Sequence, residues 1–144
     1  MNHTLRNSAL AAAVALVACS DNTGTDDEWR SGTYRYSAQD AAGRTVLRGQ
    51  LQLAFTNDST ISGTWMIAWV PGADTTSEVG PQVGSGTVTG VDRADALLLT
   101  LTPSSADNNV DLLGVGKPAV LAGEWVWTAF TGPRARGPFT LSRR

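Results

Sequence analysis

The residue types that most often carry out chemistry are scarce in this chain of 144 residues. It has one histidine, His3, and one cysteine, Cys19, and both lie close to the amino terminus. The remaining sequence therefore offers no thiol and no imidazole, which excludes serine–histidine and cysteine–histidine nucleophilic designs and thiolate metal sites there. We expect a protein that is not an enzyme and uses neither a cofactor nor a metal ion.

Acidic residues could still act in pairs, because two carboxylates held at a suitable separation can hydrolyse glycosides. The candidate pairs are Asp92 with Asp95 and Asp107 with Asp111. Both pairs fall at predicted turns, where acidic residues commonly bond to their own backbone. We therefore interpret them as turn-forming residues and not as catalytic groups.

Residues 107–111, Asp-Asn-Asn-Val-Asp, match the first oxygen positions of a calcium-binding loop. The match then fails, because Leu112 stands where the sharp turn requires glycine and Pro118 where the bidentate glutamate belongs. A turn between two strands is the better interpretation, and we predict no metal site.

Aromatic side chains form the one concentration that could become a site. Tyrosine and tryptophan combine stacking faces with a polar group, which suits a binding cavity. The set comprises Tyr34, Tyr36, Phe55, Trp65, Trp69, Trp125, Trp127 and Phe139. We take Tyr36, Trp69 and Trp127 as the walls of a candidate ligand site, and place Arg134 or Arg136 at its rim. The alternative is that the rings only fill the interior of a barrel.

The elements that would position these side chains are β-strands. In residues 61–70, Trp65, Ile67 and Trp69 share one parity and the other parity is smaller and more polar, as expected for a strand with one packed face. No segment shows a helical apolar period. We predict eight strands at residues 30–38, 45–56, 59–70, 82–91, 94–102, 109–115, 119–130 and 135–143.

The connections between these strands alternate between long and short. They are residues 39–44, 57–58, 71–81, 92–93, 103–108, 116–118 and 131–134. Consecutive turns of a meander lie at opposite ends, so this order predicts an eight-stranded antiparallel up-and-down barrel with every long loop at one rim. A β-sandwich is the alternative. Residues 71–81 hold only Ala73 and Val79 as apolar residues, so we expect this loop to be solvated and dispensable for folding.

Three strands contain a glycine followed two residues later by an aromatic residue: Gly-Thr-Tyr at 32–34, Gly-Thr-Trp at 63–65 and Gly-Glu-Trp at 123–125. In these phrases the domain of residues 29–144 resembles avidin-like and lipocalin-like barrels. Glycines in such strands can lie beneath large aromatic rings of the neighbouring strand. The resemblance implies a barrel that can hold one small ligand. No set of biotin-contacting residues can be carried over to this chain, so it implies no ligand identity.

The amino terminus has the features of a secretory signal. Arg6 precedes an apolar run at residues 9–17, which is too short for a membrane-spanning helix of about 20 residues. The run ends in Leu16-Val17-Ala18-Cys19, which resembles the lipobox of bacterial lipoproteins. That resemblance implies cleavage after Ala18 and acylation of Cys19. Ser20 stands where an aspartate would favour the inner membrane, so it also implies the outer membrane if the organism has one.

The sequence thus divides into a signal peptide (1–18), a lipidated cysteine with a polar, flexible tether (19–28), and a barrel domain (29–144). Of the 11 basic residues only Arg6 lies in the signal, so the mature chain carries ten basic and 13 acidic residues. This balance does not favour nucleic-acid binding, which needs a basic patch or stripe.

Two functions fit these observations. The first is an exported, envelope-anchored barrel that binds a small apolar or aromatic ligand. The second is a non-enzymatic protein-interaction module, such as an envelope scaffold or a protease inhibitor, with a filled barrel and contacts made by its long loops.

Overall fold

The computed structural model describes residues 29–93, 96–102, 104–105, 107–117 and 119–144. They form a closed barrel of eight antiparallel strands, each paired with the next and the last with the first. The strands are β1 (Gly32–Gln39), β2 (Thr45–Phe55), β3 (Thr60–Trp69), β4 (Gly84–Arg93), β5 (Ala96–Leu101), β6 (Asn108–Lys117), β7 (Val120–Ala129) and β8 (Gly132–Arg143). The predicted barrel is confirmed, and the sandwich alternative is wrong.

Some of the predictions concern segments beyond these described ranges. The predicted signal peptide, the tether with Cys19, and Asp95 all lie outside them. Within the described residues, no helix has the length and apolar character to cross a membrane.

The barrel interior is built from the alternate residues of each strand. Leu97, Leu99 and Leu101 of β5 point inward and are almost completely buried, as their spacing predicts. The same holds for Trp65 and Ile67 of β3. Apolar side chains from all eight strands therefore fill the space that the closed sheet encloses.

Two tryptophans lie across glycines of the neighbouring strand. Trp65 is paired with Gly86, and Trp125 with Gly137. A Cβ added to either glycine would lie 2.9 Å from the indole nitrogen of the paired ring. Both indole N–H groups donate to backbone carbonyl oxygens, at 3.0 and 2.8 Å. The glycines thus let two large, hydrogen-bonded rings pack flat inside the wall.

The two rims of the barrel differ in their connections. The connections from β1 to β2, β3 to β4, β5 to β6 and β7 to β8 lie at one rim, which we call the mouth. The connections from β2 to β3, β4 to β5 and β6 to β7 lie at the other rim, which we call the base. Because β1 starts and β8 ends at the base, the chain enters and leaves the barrel there.

The last connection corrects the sequence prediction. It spans residues 130–131 and not 131–134, so Pro133 and Arg134 belong to β8. The β7–β8 ladder shifts register after Trp127 and then continues to the pair Ala129–Gly132, which lengthens the hairpin. The alternation of long and short connections therefore fails at the seventh one.

The pairing between β1 and β8, which we call the seam, is the shortest of the eight strand pairings in the barrel. It joins residues 34–38 to residues 139–143, five pairs in all. One further bond, from the Arg144 N–H to the Thr33 carbonyl oxygen at 3.0 Å, extends it at the base. The first and last described segments of the chain therefore meet.

Candidate ligand-binding site

The mouth of the barrel holds all five side chains that the sequence analysis selected. Its longest connection, residues 70–83, will be called the mouth loop. The prediction that residues 71–81 are solvated is wrong at Val79, which is 4% exposed and belongs to the packed interior. Gln82, which the sequence placed in the fourth strand, precedes β4 and is fully buried. Composition did not show that these two side chains turn inward.

Gln82 enters the barrel and binds Tyr36. The Tyr36 hydroxyl donates to Oε1 of Gln82 at 2.6 Å, and Nε2 of Gln82 donates to the Val79 carbonyl oxygen at 2.6 Å. Complete burial raises the pKa of Tyr36, so its hydroxyl remains a neutral donor. The ring of Tyr36 stacks on Phe139 with centroids 5.9 Å apart. The loop thus supplies the acceptor that this buried hydroxyl requires.

Trp127 lies beside the same loop, near the end of β7. Its indole N–H donates to Oδ1 of Asn108 at 2.7 Å, and the guanidinium of Arg134 lies 5.4 Å from its ring centroid, within cation–π distance. Gly80 approaches the ring so closely that an added Cβ would lie 2.5 Å from Cγ of Trp127. Gly80 also has a φ of 68°, which favours glycine. Only glycine fits this crossing without displacing the loop or the ring.

Trp69 ends β3 and is half-buried, whereas Trp65, deeper on the same strand, is 3% exposed. Trp69 and Trp127 line one open cleft together with residues 76–81 of the mouth loop. Trp69 is therefore the tryptophan of β3 that lies closer to the mouth, and the difference in burial agrees with its position at the end of the strand.

Arg134 and Arg136 line a second cleft of about 620 Å³. Its other walls include Asp40 and Arg44 of the first mouth connection and Ser77 and Glu78 of the mouth loop. Ser77 and Glu78 line both clefts, so this part of the mouth loop separates them. The second cleft has a volume in the range of small-molecule sites.

Asp40 fixes the first mouth connection and ties the mouth loop to it. Its carboxylate accepts from the backbone N–H groups of Arg44 and Ala42, at 3.0 and 2.9 Å, and forms a 2.8 Å ion pair with the Arg44 guanidinium. The N–H of Arg44 is the main reason that the pKa of Asp40 lies below its usual value. Oδ2 of Asp40 also accepts from the Ser77 hydroxyl at 3.5 Å, and Arg44 lies 3.9 Å from Asp74 of the loop.

Charges at the mouth are mostly paired. Arg136 lies 3.8 Å from Glu124 on the outer wall, with both side chains largely exposed. Arg134 makes no ion pair with any described residue. Its guanidinium lies over the ring of Trp127 instead. Among the described residues, no group of three or more His, Cys, Asp or Glu is arranged to hold a metal ion.

The structure therefore brings the predicted residues to one end of the barrel without joining them in one cavity. Trp69 and Trp127 share one cleft, Arg134 and Arg136 share the other, and Tyr36 lies beneath the loop. Sequence reasoning missed Asp40 and Gln82. The single apolar residue before Gly80-Pro81, Val79, was the available signal that this part of the loop turns inward.

No family model and no curated protein matches this chain. Among solved structures, it is similar to the bradavidin2–biotin complex, with a TM-score of 0.52 and 15% sequence identity. The match covers 81% of this chain and 99% of that one. The likeness shows that this chain has the fold of an avidin-like barrel.

Proposed function

We propose that this chain is an exported lipoprotein, anchored to the cell envelope through Cys19, whose barrel mouth binds a small apolar or aromatic ligand. The observation that carries the proposal is the position of the mouth loop. Val79 and Gln82 fill the mouth, and Gln82 satisfies a buried hydroxyl that faces into it. A ligand that displaced this segment would merge the two clefts.

The chemistry of the merged site favours a molecule with an apolar body and a polar or anionic group. Trp69 and Trp127 offer ring faces to the body. Arg134 has no carboxylate partner among the described residues and can bind an anion. Once Gln82 is displaced, Tyr36 needs a new acceptor, and a ligand oxygen would provide it. The proposed activity is binding, without catalysis, cofactor or metal.

The similarity to bradavidin2 supports this proposal at the level of the fold. A barrel of the same architecture forms a complex with biotin, a small organic molecule. Ligand identity does not follow from a likeness at 15% identity.

The mouth site can be tested with 1-anilinonaphthalene-8-sulfonate, which joins an aromatic body to an anionic group. Gly80→Ala should bind this probe several-fold more tightly than the unaltered protein, because the new Cβ would displace the mouth loop from Trp127. Gly72→Ala is the matched control. Gly72 also has a positive φ, 77°, but an added Cβ would meet nothing within 4 Å. The measurements are probe emission and quenching of tryptophan fluorescence.

Failure of both the unaltered protein and Gly80→Ala to bind the probe saturably would contradict the ligand proposal. A second candidate function would then remain, a non-enzymatic interaction module such as an envelope scaffold or a protease inhibitor. The observation that favours it is the filled interior, in which Tyr34, Leu47 and Trp125 are fully buried. Its contacts would come from the mouth connections.

The anchor has its own test. The intact mass of the protein from the membrane fraction should correspond to residues 19–144 plus lipid. More than one acyl chain is expected, since a single chain gives only marginal membrane binding. A soluble, unmodified species in the native host would contradict the proposal. If the lipid is present, fractionation of the envelope tests the outer-membrane location that Ser20 implies.

A further inference from the structure

The outer wall near the base departs from the rule that outward strand positions are polar. On β2 the outward residues Arg48, Gln50 and Gln52 follow that rule. On β4–β7 near the base several outward positions are instead apolar. We call them the base patch: Val91, Ala96, Leu98, Leu113, Val115 and Val120.

The base patch is continuous across neighbouring strands. Leu98 pairs with Val91 on one side and Leu113 on the other, and Val115 pairs with Ala96. Leu113, Val115 and Val120 are 53%, 67% and 57% exposed, so the patch is open to solvent within the described structure. Exposed apolar patches of this kind usually mark a surface that another body covers.

The charges of the barrel point to what covers it. Basic residues at the base rim are Arg30, Arg93, Lys117, Arg143 and Arg144, against the acidic Asp58 and Asp92 among the described residues. The mouth rim has the opposite balance among the described residues, with the basic Arg44, Arg134 and Arg136 against the acidic Asp40, Asp74, Glu78 and Asp107. Arg93 lies directly beside the patch and lines a groove with its residues. Apolar side chains flanked by cations fit an anionic lipid surface.

The length of chain outside the structure agrees with this partner. Cys19 precedes Trp29 by ten residues, and Trp29 leads into β1 at the base rim. Ten residues can span at most roughly 36 Å when fully extended. An acylated Cys19 would therefore keep the base within reach of the membrane and turn the mouth away from it.

We propose that the base patch, flanked by Arg93 and Lys117, docks on the surface of an anionic membrane, so that the barrel lies against the bilayer and does not float above it. This inference rests on the anchor in the proposed function and is independent of the mouth ligand.

The test uses single-cysteine labelling of the mature, acylated protein. Cys19 is the one native cysteine, and its acylated thiol does not react, so an environment-sensitive nitrobenzoxadiazole label can be placed at Val115→Cys or Val120→Cys. Met66→Cys is the matched control, because Met66 is 57% exposed on the outer wall of β3, outside the patch. The proteins are reconstituted in vesicles of phosphatidylcholine with or without phosphatidylglycerol.

Labels at positions 115 and 120 should shift to shorter emission wavelength and gain several-fold in intensity in vesicles. The gain should be larger with phosphatidylglycerol and fall as salt rises, because salt screens the cationic contribution. The label at position 66 should not change. Circular dichroism of each labelled protein checks that the barrel is folded.

Equal responses at positions 66 and 115 would overturn the proposal. So would a shift at position 115 that appears in detergent and grows with protein concentration, since a second copy would then cover the patch. Protein that fails to bind vesicles at all would show that the anchor is absent, and membrane docking would fall with it. None of these results bears on probe binding at the mouth.

Discussion

The buried pair of Tyr36 and Gln82 is the polar contact on which closure of the mouth depends. Both groups are shielded from water, so removing one partner costs more than the bond itself contributes. Trp127 and Gly80 make the adjacent contact by shape alone, since the backbone of Gly80 lies against the indole ring. One polar and one steric contact thus hold the same segment in place.

A double-mutant cycle measures the polar contact. Tyr36→Phe should lower the free energy of unfolding by about 1–3 kcal/mol, because Oε1 of Gln82 loses its donor in a dry environment. Adding Gln82→Leu to it should cost less than the sum of the single changes. Urea denaturation gives all three values. Tyr34→Phe is the control for this coupling. Its hydroxyl donates to the Arg30 carbonyl oxygen at the base and not to Gln82, so its effect should add to that of Gln82→Leu. Strictly additive effects would mean that water already reaches Tyr36.

The two tryptophans of β3 should differ in their contribution to stability. Trp65→Ala removes a buried ring and its bond to the Thr87 carbonyl oxygen, and should cost about 3–5 kcal/mol. Trp69→Ala should cost clearly less, because that side chain is half-buried at the end of the strand. Chemical denaturation compares them directly. Equal losses would contradict the difference in depth.

At the scale of elements, the mouth loop is part of the core. Replacing residues 71–82 with a short Gly-Ser turn removes Val79 from the interior and leaves Tyr36 without an acceptor. We expect a loss of about 2–4 kcal/mol, the sum of a buried aliphatic side chain and an unsatisfied hydroxyl. The change in loop length itself contributes little, because closure entropy varies slowly with length. Stability within about 1 kcal/mol of the unaltered protein would restore the solvated-loop prediction.

The first mouth connection should weaken in acid. The pKa of Asp40 is lowered in the folded protein, first by the backbone N–H of Arg44 and also by its side chain. Its ionised form therefore stabilises the fold above the unfolded-state pKa of about 3.9, and this contribution is lost as the pH falls through the lower folded value. At pH 6 the unaltered protein should have a higher melting temperature than Asp40→Asn. The two melting temperatures should converge as the pH falls below about 4.

A comparison with Asp40→Asn is needed because the pKa of Asp58 is also lowered in the folded protein. Hydrogen bonds from the side chains of Thr56 and Thr60 lower its pKa to about 2. Asp58 lies at the base rim and contributes equally to both proteins. A constant difference between them down to pH 2 would contradict the role assigned to Asp40.

The sequence predicts the strands of this barrel well and its rims poorly. Alternation places Trp65 and Leu99 inward because one face of each strand must be packed. This requirement affects the residue type at every position of the strand, so the sequence pattern shows it clearly. The hairpin at residues 130–131 follows from a single register shift near Trp127, which depends on the neighbouring strand. A local pattern cannot report such a contact.

The candidate site is harder still to predict from the sequence, because it depends on contacts between residues that are distant in the chain. The positions of Trp69 and Trp127 near the mouth follow from strand direction, which the order of the connections determines. The inward turn of Gln82 depends on its meeting Tyr36, 46 residues away in sequence. A buried glutamine in a loop has no periodic signature, so only the folded structure shows that the mouth is closed.

At the scale of the whole molecule, the closed sheet depends on the last segment of the chain. Deleting residues 139–144 removes the β8 partners of residues 34–38, and with them the buried side chains of Phe139 and Leu141. We expect loss of cooperative unfolding and aggregation through the exposed edges of β1 and β7. Deleting Arg144 alone is the control and should leave a folded protein. Circular dichroism and sedimentation report both outcomes, and a soluble, cooperative truncation would show that the seam is dispensable.

The short seam between β1 and β8 also determines when the barrel can form. Residues 34–38 pair with residues 47–51 of β2 on one side and with residues 139–143 of β8 on the other, so a chain that is still being synthesised carries this second edge of β1 unpaired until β8 is available. Local hairpins can form earlier, but the ring cannot close around its aromatic interior. The closed barrel therefore forms only after β8 has been synthesised and has paired with both β7 and β1.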